Sequence, residues 1–354
     1  MKLEDFGWTR AFEDLFRPHA EAGFRPARVA TTYTHLYRLL TLEGERMAAV
    51  SGRLRHEARG QRDFPATGDF VAVDLRPGEE RATIHAVLPR SSCFSRKAPG
   101  KQAKEQVVAS NIDTVFLTAG LDGDFNPRRV ERTLVLAWQS GAVPVVLLTK
   151  ADICADVDAK RRAMEDAANG VPVLVTSAAT GDGLPALDTY LLPGRTVALL
   201  GSSGTGKSTL VNRLLGYERQ RTLTVRSGDD RGRHATTHRE LITLPTGALI
   251  IDTPGLREIQ LWAGEGSLGE AFSDLGALAE ACRFRDCQHH GEPGCGIAAA
   301  LADGRLDEAR LESHRKLEKE LHFLARREDV GLQQAQKARW KSIHKQAKKH
   351  RPRN

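Results

Sequence analysis

The chain predicts an α/β protein. An open, mostly parallel sheet should carry the main ligand site, with a small β-barrel before it and a mainly helical, cysteine-bearing region after it. Three observations predict this. Apolar runs of strand length recur between 143 and 251 and end in polar motifs. Short β-rich runs alternate with turn signals between 27 and 89. Three of the five cysteines crowd between 282 and 295.

In chain order, residues 1–26 form a short helical lead to which the sequence attaches no role. Residues 27–90 hold five strand-like runs, beginning at Ala27, Tyr37, Met47, Asp69 and Ala82. Five short strands predict a small closed barrel; an oligonucleotide-binding (OB) fold and an SH3-like barrel share this periodicity. Arg53, Arg55, His56, Arg59 and Arg62 fall in one expected loop and suit phosphate. Residues 91–109 read as a polar, lysine-containing linker, and residues 110–260 as the sheet domain. A helical region with the cysteines covers 261–328, and a basic arm covers 329–354.

Within the sheet domain the strongest local signal is a P-loop. The buried-strand run Thr196–Leu200 feeds directly into Gly201, Ser202, Ser203, Gly204, Thr205, Gly206, Lys207 and Ser208, and a helix continues through Thr209 to Leu215. The glycines let backbone N–H groups wrap a polyphosphate, and the helix start adds its positive dipole end. Lys207 suits the β- and γ-phosphates, and the Ser208 hydroxyl suits Mg²⁺.

The base is read elsewhere. The run Val143–Leu148 delivers Thr149, Lys150, Ala151 and Asp152 at its carboxyl end, where open α/β sheets bind ligands. Asp152 can accept from the ring N–H and the exocyclic amine of guanine together, a pair that adenine lacks. Lys150 would lie along the base with its apolar stem. A third run, Val171–Val175, ends at Thr176, with Ser177 and Ala178 placed to meet the guanine carbonyl. Both halves of a guanine-nucleotide site are present, but the base-reading half comes first. In an ordinary GTPase the P-loop leads.

After the P-loop, Leu249–Ile251 runs into Asp252, Thr253, Pro254 and Gly255. Asp252 suits the Mg²⁺ shell, and the Gly255 N–H suits the γ-phosphate. Between them, the polar stretch Ser227–His238 is expected to switch with the γ-phosphate, Thr236 or Thr237 closing over Mg²⁺. Leu256 stands where many GTPases keep a water-orienting glutamine, so another group must hold the water.

Cys282, Cys287 and Cys295 combine with a histidine, His289 or its neighbour His290, in the closed Cys₃His shell expected of structural zinc. No secretory signal or long apolar run is visible, which predicts a cytoplasmic setting without a membrane span, and metal rather than disulfide use of the thiols. The net charge of +7 and the pI near 9.3 point to an acidic partner. After Asp329 no acidic side chain occurs, while eight lysines and arginines and Trp340 do, which suits RNA.

These motifs together resemble the RsgA family of circularly permuted, small-subunit-dependent GTPases. The resemblance rests on the permuted order, on the segment Gly232–His238, on D-T-P-G followed by Leu256, Arg257 and Glu258, and on the cysteine cluster. It implies a circularly permuted P-loop GTPase domain behind an OB barrel, with GTP/GDP, Mg²⁺ and Zn²⁺ as ligands. It also implies His289 as the fourth zinc ligand and His234 as the group that positions the water. The implied partner is the small ribosomal subunit with its rRNA, met by a monomer that hydrolysis releases late in assembly. Two positions depart from the family pattern: Thr149 replaces the more usual asparagine, and Ala235 interrupts a threonine run. Competing readings are an RNA-binding module that uses GTP only structurally, and a P-loop ATPase or small-molecule kinase, against which Asp152 argues.

Overall fold

The computed structural model describes residues 2–75, 81–97, 105–218, 239–252, 267–289 and 292–323. The basic arm expected at 329–354 lies outside them, as does His290.

A helical turn (Leu3–Phe6) and helix α1 (Arg10–Glu21) open the chain. Trp8, Phe12 and Phe16 are spaced four apart and share one buried face. They close over Phe70, whose ring lies edge-on to Trp8 at 5.1 Å. The lead is therefore a lid on the barrel wall, a role that no motif announces.

The barrel comprises β1 (Arg25–Thr32), β2 (Tyr37–Thr41), β3 (Gly44–Val50), helix α2 (Gly52–Glu57), β4 (Phe70–Asp74) and β5 (Arg81–Val87). Its strand order is β1-β2-β3-β5-β4 and back to β1, with β3 and β5 parallel and every other pair antiparallel. That closed Greek key is the OB arrangement, which resolves the alternative left by periodicity. The arginine-rich stretch expected as one loop is partly helix. Ser51 caps α2 by accepting from the Leu54 N–H at 3.1 Å, and Arg53 pairs with Glu57 one turn on.

The stretch read as a linker is also structured. Strands β6 (Cys93–Lys97) and β7 (Glu105–Ser110) pair antiparallel. Phe94, Val107, Val108 and Ala109 are buried, so this hairpin contributes apolar core that its flanking lysines obscure in the sequence.

Next come β8 (Thr114–Gly120), α3 (Pro127–Ser140), β9 (Val143–Thr149), α4 (Val157–Ala168), β10 (Val173–Val175), β11 (Thr196–Leu200), α5 (Lys207–Leu215), β12 (Glu240–Thr243) and β13 (Leu249–Asp252). Strands β10, β9, β8, β11 and β13 are parallel in that spatial order, with β12 antiparallel at the end. Permutation changes where the chain enters this sheet, yet the P-loop strand β11 still lies between β8 and β13. Through Thr31 and Glu240, β12 also joins β1, so barrel and sheet domain share one sheet. Helices α6 (Ser267–Ala271), α7 (Ser273–Ala279), α8 (Gly296–Ala302) and α9 (308–323) complete the described chain.

Candidate functional site

The P-loop leaves the carboxyl end of β11 and runs into α5. Among the described residues, Ser203, Gly204, Thr205 and Gly206 donate to no backbone carbonyl. Gly201 must be glycine, because a Cβ there would collide with the Thr118 hydroxyl on β8. Gly206, at φ 81°, caps α5, whose first turn carries Lys207, Ser208 and Thr209. The Lys207 ammonium sits in the mouth of the loop, donating to the Gly201 carbonyl at 2.8 Å, to the Ser202 carbonyl, and to Thr205 Oγ1 at 3.2 Å.

The Thr149–Asp152 motif lies against this loop. Thr149, 4% exposed, donates from Oγ1 to the Thr205 carbonyl at 2.7 Å, so the hydroxyl ties β9 to the P-loop where asparagine is more usual. Ser177 Oγ donates to Asp152 Oδ1 at 2.6 Å, fixing one carboxylate oxygen, and the Ala151 N–H donates to the Thr176 carbonyl. Gly183 allows the turn that follows, since a Cβ there would run into the Val175 carbonyl. Among the described residues no backbone carbonyl accepts from the Ala178 N–H.

Sequence reasoning missed three side chains here. Lys150, in the left-handed region at φ 61°, reaches Asp122 at 2.6 Å. Burial works to raise the Asp122 carboxyl, but the Lys150 hydrogen bond, the Asp124 N–H and the Lys150 charge outweigh it and hold it below the usual range. Arg129, from the first turn of α3, donates to Ser202 Oγ at 3.0 Å and pairs with Asp124. The available signal was positional: Asp122 and Asp124 follow the carboxyl end of β8, where ligands of such sheets bind. Beside the P-loop these elements enclose a cavity of about 380 Å³ lined by Thr118, Gly120, Arg129, Gly201, Ser202 and Thr205. Asp252 ends β13 in the neighbouring strand, whereas His234, Thr236, Thr237 and Gly255 lie outside the described residues.

A second cluster lies in the helical region. The ligand atoms of Cys282, Cys287, His289 and Cys295 all fall within 4.8 Å of one another. His289 Nδ1 is 3.5 Å from both Cys282 Sγ and Cys295 Sγ. Tetrahedral bonds of about 2.1–2.3 Å to zinc would separate the ligand atoms by roughly 3.5–3.8 Å, so the donor set fits. N–H groups at the start of α8 point at the sulfurs: Gly296 at Cys282, 3.2 Å, and Ala298 at Cys295, 3.4 Å. The His289 N–H favours the Cys287 thiolate, but burial and the hydrogen bonds and charge of Cys295 and Cys282 push that thiol up to about 12. A thiol raised that far needs a bound cation to ionise at neutral pH.

Between the two sites stands a buried ion cluster. Arg310, 6% exposed, spans Asp274 at 2.6 and 2.8 Å and Glu131 of α3 at 2.9 Å. It therefore couples the helical region to the helix that supplies Arg129.

The profile of a family described as RsgA GTPase matches residues 87–262. A protein of Opitutus terrae named small ribosomal subunit biogenesis GTPase RsgA is 50% identical over 354 residues, covering 97% of this chain and 96% of its own length. A protein of the same name from Syntrophotalea carbinolica is 44% identical over 359 residues, covering 99% and 98%. Among solved structures, YjeQ from Thermotoga maritima aligns with TM-score 0.64 at 26% identity, over 85% of this chain and 99% of that one. YloQ, described as a circularly permuted GTPase, aligns with TM-score 0.61 at 21% identity, over 86% and 96%, a likeness of fold.

Proposed function

The chain belongs to the RsgA GTPase family, and from that premise we propose that its GTP hydrolysis serves late maturation of the small ribosomal subunit. The protein is a GTP hydrolase. In this proposal it binds the subunit through rRNA, the subunit stimulates turnover, and hydrolysis releases it. The observation that best supports guanine over adenine is the Ser177 hydroxyl on Asp152, beside a P-loop tied to the same motif by Thr149.

The residues take these roles in the proposal. P-loop N–H groups from Gly201 to Thr209 cradle the phosphates, with Lys207 toward the β- and γ-groups. Asp152 accepts from the guanine edge, Lys150 lies along the ring, and the Ala178 N–H meets the carbonyl. Ser208, Asp252 and Thr236 or Thr237 would hold Mg²⁺, which neutralises charge building on the phosphates. Gly255 meets the γ-phosphate, and His234 positions the water in place of the glutamine that Leu256 displaces. Cys282, Cys287, His289 and Cys295 hold zinc as a structural ion. A monomer working in the cytoplasm completes the proposal; among the described residues, no helix is long and apolar enough to cross a membrane.

The test is GTP turnover with and without purified small subunits, with large subunits and free rRNA as controls. Stimulation by small subunits alone is expected, and His234→Ala should abolish that stimulation while leaving GTP bound. Unchanged turnover with every additive would reject the biogenesis role, and displacement of GTP by ATP would reject guanine recognition. For the metal, about one zinc per chain is expected by elemental analysis, and Cys287→Ala should lose it.

A further inference from the structure

A second cavity, about 450 Å³, lies at the seam of barrel and nucleotide domain. That volume falls within the roughly 300–1,000 Å³ usual for small-ligand sites. Four aromatic or imidazole residues line it, Tyr33 and His35 from the β1–β2 turn, Tyr37 from β2, and Phe64, together with Arg55 on α2 and Arg239 just before β12. Among the described residues no carboxylate lines it, so its chemistry suits an anion that carries a flat group. Tyr37 is 8% exposed, and its hydroxyl has no hydrogen-bond partner among the described residues. Burial, opposed by the nearby Arg55 charge, pushes that phenol up, so it remains a donor at neutral pH.

We propose that this cavity seats one unstacked nucleotide of single-stranded RNA, its base against the aromatic rings and its phosphate on Arg55 and Arg239. Base stacking on aromatic side chains tolerates any sequence, and a guanidinium fork matches a phosphate. The position agrees, because OB barrels offer their β1–β2 loop and β2–β3 face to oligonucleotides. The proposal rests on the RNA engagement proposed above and adds where a base is held. A free nucleoside monophosphate has the same chemistry and is the competing source.

The experiment uses the full chain and fluorescein-labelled hexamers of uridine and of adenosine, read by anisotropy across a potassium chloride series. Tyr33→Ala is expected to weaken binding about tenfold at every salt concentration, by loss of one stack. Arg55→Gln is expected to weaken binding and to lower the salt slope by about one, a signature of a lost phosphate contact. A 4-thiouridine hexamer should cross-link to peptides containing Tyr33 or Phe64. Wild-type affinity and slope in both variants, or cross-links confined to other segments, would overturn the site. Adenosine monophosphate binding as tightly as the hexamer would overturn the assignment to RNA. Small-subunit-stimulated turnover is measured alongside: its absence sinks the biogenesis reading, whereas intact stimulation with unaltered hexamer binding sinks only this cavity.

Discussion

Two buried arginines fasten the two ends of the nucleotide domain, and they do so with opposite electrostatics. Arg28, on the barrel strand β1, is 1% exposed and lies over the Phe70 ring at 4.8 Å. It donates to the carbonyls of Gly68 at 3.1 Å, Asn111 at 3.0 Å and Phe6, joining barrel, nucleotide domain and lead. Arg310, on α9, lies over the Phe272 ring at 4.7 Å, but its main acceptors are the carboxylates of Asp274 and Glu131. The guanidinium of Arg28 is pulled down to about 10 by burial, which the distant Asp113 and Asp69 offset only in part. That of Arg310 also suffers burial, yet hydrogen bonds and charge from Asp274 and Glu131 raise it above its usual value. Similar geometry thus gives opposite shifts, and the charge of the acceptors decides.

The difference teaches what each seam tolerates. On the barrel side the partners are main chain, reinforced by the β1–β12 pairing and by Gly68, where a Cβ would collide with the Ser110 carbonyl. Nothing there can rearrange without moving backbone. On the helical side the charged partners are side chains on α3 and α7, joined by the helix-end carbonyls of Ala167 at 3.1 Å and Ala271 at 3.2 Å, a clasp that can open without unravelling a strand.

The largest expected effect breaks that clasp. Arg310→Ala leaves Glu131, a 1% exposed carboxylate, with Arg128 alone, and should cost about 3–5 kcal/mol in urea unfolding. If a stranded charge is the cause, adding Glu131→Gln should recover at least about 1 kcal/mol. A double variant no more stable than the single one would show that lost packing dominates. Next, Arg28→Met keeps the apolar stem but orphans the buried carbonyls of Phe6 and Asn111, while that of Gly68 keeps the Asn111 side-chain amide at 3.0 Å, for about 2 kcal/mol at roughly 1 kcal/mol each. No carboxylate substitution should rescue it, because Arg28 touches no carboxylate, and rescue by Asp69→Asn or Asp113→Asn would show that charge, not main-chain hydrogen bonding, governs this seam. Smaller still, Glu131→Gln alone should cost about 1 kcal/mol: Oε1 keeps its acceptor role, and Oε2 has no partner among the described residues.

Legibility in the sequence follows the same division. The P-loop, the Thr149–Asp152 motif and the cysteine cluster were readable because each needs fixed residue types at fixed local spacing. The barrel was readable as a barrel from its period, but OB topology depended on the β3–β5 parallel pairing, a long-range fact with no local code. The hairpin at 93–110 was misread as linker because charged residues flank a short apolar set, Phe94 and Val107–Ala109, whose burial depends on neighbours far along the chain. Arg28 and Arg310 were invisible for a related reason. A lone arginine beside apolar residues looks like any surface arginine until three carbonyls, or two carboxylates, converge on it.

The smallest effect calibrates the comparison with a pair that is only partly buried. Lys150 and Asp122 meet at 2.6 Å, with side chains 26% and 27% exposed. Water screens such a pair, so it should contribute less than about 1 kcal/mol to folding. The sign follows from the lowered Asp122 carboxyl. In the unfolded chain that group titrates near its usual value of about 3.9, and in the folded chain below it. The contribution is therefore present in full above the unfolded value and is lost as pH falls through the folded one. Stability of wild type minus that of Asp122→Asn, followed by urea unfolding from about pH 6 to about pH 2.5, should shrink toward zero at the acid end. Arg310→Ala should retain most of its deficit over the upper part of that range, since guanidinium groups stay charged throughout. A difference for Asp122→Asn that is flat with pH would mean the carboxylate acts only through the Asp124 N–H turn, and that the ammonium contributes nothing to the fold.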